Sequence, residues 1–143
     1  MVADSFKGVP KPNIEDYPQD KDDKLYTYTE LQVSKEEVMN NFKKYNLLDG
    51  NVEFLEGWFK DTLYNSPINK LSLLRIDGDL YESTYQTLEA LYPKLSPGGF
   101  CIIDDYGTFE YCSKAVNDYR ELMNITEEII DIDGWGVFSK QVP

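Results

Sequence analysis

Residues 71–107 read LSLLRIDGDLYESTYQTLEALYPKLSPGGFCIIDDYG, and their order of apolar and polar residues decides the fold class. Residues 71–76 are nearly continuously apolar apart from Ser72 and Arg75, the pattern of a strand covered on both faces. Asp77-Gly78-Asp79 ends it. Tyr81, Tyr85, Leu88, Leu91, Tyr92 and Leu95 then recur at helical spacing, which predicts a helix over 81–92. Ser96-Pro97-Gly98-Gly99 predicts a turn, and 100–103 a further buried strand that delivers Asp104-Asp105 at its carboxyl end. Strand, helix and strand in this order form a unit whose two strands lie parallel.

The same alternation extends outward. Upstream, Ser34 with Glu37 predicts a capping box, Val33 with Val38 a hydrophobic staple, and Val38, Phe42 and Tyr45 one apolar helix face. A strand at 52–55, Gly57 and a short helix at 59–63 follow, and Val2-Ala3-Asp4 is the stub of one more strand. Residues 5–30 carry Gly8, three prolines and four aspartates, and read as a long, solvated acidic loop. They lack the sixth-position Gly and closing Glu of a calcium loop. Downstream, Cys112, Ala115, Val116, Tyr119 and Leu122 mark an amphipathic helix, and 128–131 with 136–139 an antiparallel pair around Asp133-Gly134. The expectation is one α/β domain over 1–143: about four parallel strands closed by a carboxyl-terminal antiparallel hairpin.

Composition removes several functions. With 143 residues, 14 Lys+Arg, 26 Asp+Glu and a net charge of −12, the chain lacks the basic clusters that hold nucleic acid. No run of about 18 apolar residues spans a membrane, and the start Met1-Val2-Ala3-Asp4 is no secretory signal, which predicts a cytoplasmic protein. There is no His, so His-based bases, triads and zinc sites are excluded together. Cys101 and Cys112 lie in apolar settings and read as structural thiols.

In an open α/β sheet, ligands bind outside the carboxyl ends of the strands. Asp4, Glu56, Asp77, Asp79, Asp104 and Asp105 all fall at or just after such ends. Carboxylates gathered on one rim repel unless a cation lies between them, and an all-oxygen set suits Mg²⁺, Mn²⁺ or Ca²⁺. The structural alternative is that they cap helices, which suits Asp79 better than the Asp104-Asp105 pair. A phosphoacceptor domain would need its acidic pair after the first strand, the reverse of this order. A metal-dependent glycosyltransferase could use Asp77-Gly78-Asp79 to hold a nucleotide diphosphate.

DGDLYEST at 77–84 together with IIDDYG at 102–107 resembles the macrocin O-methyltransferase (TylF/MycF) family, and ADSFKGVPKP and VEFLEGWFKDTL are similar to its second and third strand regions. The resemblance implies a Rossmann-like enzyme that uses S-adenosylmethionine and Mg²⁺ to methylate a hydroxyl of a sugar-containing small molecule. Carried across, it makes Asp77, Asp104 and Asp105 the metal ligands, and on chemical grounds Asp77 is the candidate catalytic base. Asp4 and Ser5 would approach the cofactor ribose, and Gly57 and Trp58 would border its adenine. A metal chelated by acceptor hydroxyls lowers their pKa, and a nearby carboxylate then takes the proton.

The chain departs from that family on its amino-terminal side, where the helices that help cover the acceptor have no counterpart and a strand is missing too. The family's first strand, with the Gly-rich turn that meets the cofactor, has no counterpart here, and it belongs centrally in the sheet. The expectation is therefore an amino-terminally truncated domain, or else a sheet rearranged to close the gap. Strands left with open edges favour association into a homo-oligomer. The competing readings are a non-catalytic methyltransferase remnant and the glycosyltransferase above.

Overall fold

The computed structural model describes residues 1–140, so the last three positions of the expected 1–143 domain lie outside the described residues. In chain order the elements are β1 (Val2–Asp4), α1 (Lys35–Lys44), β2 (Phe54–Glu56), α2 (Phe59–Thr62), β3 (Leu71–Ile76), α3 (Tyr81–Leu91), β4 (Leu95–Ile103), α4 (Glu110–Leu122), β5 (Ile130–Asp131) and β6 (Val137–Lys140). Local signals set several of them. Ser34 and Glu37 form the expected capping box at α1, the Glu37 amide donating to Ser34 Oγ at 3.3 Å and the Ser34 amide to Glu37 Oε2 at 2.9 Å. The Ser-Pro-Gly-Gly segment, expected as a turn, is instead absorbed into β4 as an irregularity of register. Gly99 is required there, because a Cβ would lie 2.8 Å from the Ser96 carbonyl oxygen and 3.0 Å from that of Ser72.

The strands form two sheets. β1 pairs in parallel with β2, and β3 in parallel with β4, while β6 runs antiparallel to both β4 and β5. The spatial orders are β1-β2 and β3-β4-β6-β5, and no described strand joins β1 to β3. The expected continuous sheet is thus two parallel pairs with an open interval between them, and it has not rearranged to close. Leu74, Ile76, Cys101 and Ile103 of β3 and β4 pack with Leu88, Leu91, Val116 and Tyr119 of α3 and α4 into the main core. Both thiols are buried in it, and desolvation pushes each up to about 12, which leaves them inert. No described helix is long and apolar enough to cross a membrane.

Helix α3 is buried almost all round, well beyond the single apolar side expected of it. Its polar Ser83, Thr84, Gln86 and Thr87 are enclosed, and Gln86 Nε2 donates to Glu82 Oε1 at 3.0 Å. The loop at 5–30 adds to this burial beside α4 and α2, and departs from the expected solvated segment. Three 3-10 turns, at Pro18–Asp20, Leu25–Thr27 and Thr29–Leu31, fold it back on the domain. Asp20 is fully buried and accepts from the Tyr81 amide at 2.7 Å and the Glu82 amide at 3.0 Å. α3 has no side-chain cap of its own, so a carboxylate 61 positions away satisfies its first amides and meets its positive end.

Removing that carboxylate leaves two buried amides unpaired. Asp20→Ala should lower unfolding stability by about 2 kcal/mol, and Asp20→Asn by roughly half as much. Urea denaturation of the three proteins measures this, and equal midpoints would contradict the anchoring role.

Candidate functional site

The pairing of β3 with β4 brings two acidic ends level. The Ile76 carbonyl accepts the Asp104 amide at 3.0 Å, which extends the ladder one residue beyond the strands. Asp77-Gly78-Asp79 therefore leaves β3 beside Asp104-Asp105 leaving β4. Asp79 takes a left-handed backbone (φ 50), a conformation that Asp tolerates better than most residues. Its side chain does not cap α3, whose N-cap is Leu80 and whose amides belong to Asp20.

Oxygens of Asp77, Asp79 and Asp105 all lie within 4.8 Å of one another. Asp104 is turned aside. Arg75 grips it, with Nη2 2.5 Å and Nε 2.9 Å from Oδ2. Of the expected metal set, the structure thus gathers Asp77 and Asp105, pairs Asp104 with a guanidinium, and places Asp79 in the cluster. Asp79 carried no clear sequence signal, because the same Asp-x-Asp spacing equally suits a helix cap.

The cluster is electrostatically unsatisfied. Burial, and then the charges of Asp105, Asp77 and Asp23, push Asp79 up to about 7. Burial also raises Asp77, with Asp104 adding to the shift and Arg75 opposing it. Asp105 is raised by burial and then by Asp77, against the Asp79 backbone amide. Its Oδ2 is buried and has no hydrogen-bond partner among the described residues. An acceptor oxygen without a donor, beside two more carboxylates, fits a hard divalent cation such as Mg²⁺.

A cavity of about 630 Å³ adjoins the cluster, within the range of small-molecule sites. Asp4, Ser5, Trp58, Asp77, Asp79 and Glu82 are among its walls. Asp4 and Ser5 also shape the loop that follows β1. Asp4 Oδ1 accepts the Phe6 amide at 2.5 Å, and Ser5 Oγ accepts the Lys7 amide at 3.0 Å and donates to the Gly8 carbonyl at 3.2 Å. Gly57 stands behind the lining. With φ 143, and the Thr62 methyl 2.6 Å from where a Cβ would be, it makes the turn that presents Trp58. Sequence reasoning missed Asp23, which accepts from the Leu25 amide at 3.0 Å and from the Tyr111 hydroxyl at 3.3 Å. Tyr111 is 88 positions away, so no local pattern could have marked the pair.

Residues 1–141 match the family described as Macrocin-O-methyltransferase (TylF). Demethyldecarbamoylnovobiocin O-methyltransferase of Streptomyces niveus is 51% identical over 138 residues, which are 96% of this chain and 53% of the relative. Mycinamicin III 3''-O-methyltransferase of Micromonospora griseorubida is 48% identical over 140 residues, 96% of this chain and 55% of the relative. The solved O-methyltransferase NovP superposes with a TM-score of 0.96 at 49% identity, over 99% of this chain and 59% of its own. The calicheamicin methyltransferase CalS11, at 18% identity and a TM-score of 0.66, shares the fold. The chain spans about half the length of the curated relatives it matches.

The proton on Asp79 makes a pH dependence. In the metal-free fold Asp79 titrates near 7, against about 3.9 in the unfolded chain. Its contribution to stability is full below about pH 4 and is lost as pH rises to about 7, because only the native state holds that proton in between. Asp79→Asn should flatten this part of the profile. Urea midpoints between pH 5 and 8, in the presence of chelator, measure it; an unchanged slope in the variant would refute the assignment.

Proposed function

The chain belongs to the macrocin O-methyltransferase (TylF) family, and from that premise we propose that it carries the metal- and acceptor-binding part of an S-adenosylmethionine-dependent sugar O-methyltransferase. The acceptor class is a small molecule bearing a sugar hydroxyl. The names of the relatives support this, since those names refer to demethyldecarbamoylnovobiocin, to mycinamicin III and, in a further relative from Streptomyces olivaceus that is 50% identical, to a rhamnosyl tetracenomycin C. One observation of the structure carries the reading: Asp105, whose Oδ2 is buried with no partner among the described residues, converges with Asp77 and Asp79 on the edge of a ligand-sized cavity.

The proposed roles follow from placement. Asp77 and Asp105 hold the cation, with Asp104 as the third ligand that the resemblance implies and Asp79 as the further carboxylate that the geometry offers. Bound there, Mg²⁺ supplies the positive charge that lowers the pKa of an acceptor hydroxyl. Asp77 serves as base: local desolvation at the rim and the charge of Asp104 raise its proton affinity above that of an isolated carboxylate, and it lines the cavity. Arg75 offsets the charge of Asp104 and so limits repulsion at the rim. Asp4 and Ser5 lie where the cofactor ribose would meet the end of β1, and Trp58 with Gly57 behind it would border the adenine. Positioning of the sulfonium methyl in line with the acceptor oxygen supplies much of the acceleration.

Residues 1–143 then constitute one methyltransferase-like domain in a cytoplasmic setting, in which the interval between β1 and β3 corresponds to the family's first, Gly-rich strand. The split sheet supports this correspondence.

Titration of the chain with Mn²⁺ or Mg²⁺ tests the site. Asp77→Asn and Asp105→Asn should each weaken binding by at least ~10-fold, comparable to or beyond the usual effect of residues that merely support ligands. Unchanged affinity in both variants would overturn the metal assignment. Binding of a nucleotide sugar without any of S-adenosylhomocysteine would favour the glycosyltransferase reading instead.

A further inference from the structure

The rim that carries the carboxylates continues one strand further. β6 runs antiparallel to β4, so its amino end lies at the carboxyl end of β4, at the same end of the sheet as Asp77 and Asp105. Ile103 is level with Val137, and continuation of that register puts Asp104 level with Gly136 and Asp105 level with Trp135. The two segments stay together past the ladder, since the Gly107 amide donates to the Trp135 carbonyl at 2.7 Å. The chain has two tryptophans, and the strand ends place them on either side of the cluster. Trp58 follows β2, and Trp135 precedes β6.

The Trp135 side chain is held out in solvent. It is 63% exposed, and its indole makes no hydrogen bond or ring contact among the described residues. Its backbone, by contrast, is fixed. Asp133 Oδ1 accepts the amides of Trp135 at 3.1 Å and Gly136 at 2.9 Å. Asp131 Oδ1 accepts the Gly134 amide at 2.6 Å, and the Ile132 amide donates to the Gly136 carbonyl at 3.0 Å. An exposed apolar side chain is ordinary in itself. This one stands on a rigid tip level with Asp105, so a ligand that meets the indole there pays little to order the backbone.

Resting on the methyltransferase reading above, we propose that Trp135 is an acceptor-binding residue. The C–H face of a pyranose ring lies on its indole, while hydroxyls of the same ring reach the cation held by Asp77 and Asp105. In-line transfer puts donor and acceptor on opposite sides of the moving methyl carbon. With the cofactor at Asp4 and Trp58, on the β1 side of the cluster, the acceptor comes from the β4–β6 side, where Trp135 stands. A sugar ring is itself two-sided. Its edge carries hydroxyl oxygens that suit a hard cation, and its faces carry apolar C–H groups. The carboxylate cluster serves the edge through the cation. The indole serves the face, because their contact removes apolar surface of both from water.

The test titrates methyl α-L-rhamnopyranoside, a glycoside of the sugar in the name of the Streptomyces olivaceus relative, into the full chain with saturating Mg²⁺. NMR follows the sugar protons. Those on one ring face should move upfield over the indole, and those on the other should change little. Trp135→Ala, at an exposed position and so compatible with folding, should weaken binding by at least ~10-fold and abolish that shift. Trp135→Phe keeps an aromatic face and should retain the shift, with affinity within about 3-fold of wild type. Mg²⁺ affinity should be equal in all three proteins, which a tryptophan needed only for the fold would not allow. Absence of sugar binding by the Mg²⁺-loaded wild type, equal sugar affinity in Trp135→Ala, or loss of Mg²⁺ affinity with the indole would overturn the proposal. So would sedimentation in which Trp135→Ala turns a dimer into a monomer, because the indole would then face a second copy. If the wild type binds no Mg²⁺, the metal assignment falls and the platform with it. If it binds Mg²⁺, and binds the sugar regardless of Trp135, the platform alone falls.

Discussion

The parallel ladder between β3 and β4, and its last bond from the Asp104 amide to the Ile76 carbonyl, is the constraint on which the site depends. Consecutive side chains along a strand point to opposite faces. With Ile76 opposite Ile103, continuation of the register puts Asp77 and Asp104 level, Asp104 on the face that Arg75 shares, while the Asp77 carboxylate, past the last strand residue, also reaches the Asp105 carboxylate. Asp105 falls on the other face, with the buried Ile76 and Ile103. One register thus separates two adjacent aspartates: Asp104 meets a guanidinium, and Asp105 is driven inward toward Asp79.

How much of this was legible in the sequence depends on the distance over which each contact acts. The β3 strand and the capping box of α1 were readable because an apolar run and a four-residue cap are local. The strand-end acids were readable as a group, since topology alone puts them on one rim. Which of them converge was not, because Phe100-Cys101-Ile102-Ile103 is apolar throughout and shows no face from which to project Asp104 and Asp105. The fate of the 5–30 loop was equally hidden. Asp20 and Asp23 look like any exposed aspartates, and α3 and Tyr111, which bond them across the fold, lie more than 60 positions away.

The electrostatics follow the same logic as the packing. A net charge of −12 is spread over the whole chain, yet the charges that shift pKa are a handful that burial has brought together. Arg75 is the cation among them, and it is committed to Asp104. What remains is a pocket of negative potential in a partly desolvated setting, where one divalent ion would be worth far more than at the exposed acids of the surface.

The split of the strands also bears on cooperativity. Among the described residues no backbone ladder crosses from the β1-β2 pair to the β3-β4-β6-β5 sheet, and the two are joined by side-chain packing of Ala3 and Leu55 on the core and by α3, which α2 and the turn at 18–20 both touch. A sheet transmits unfolding from strand to strand along its hydrogen bonds, whereas a seam made of side chains and one buried carboxylate does not. The β1-β2 pair with α1 is therefore expected to open as a sub-global unit at lower free energy than the β3–α3–β4 framework.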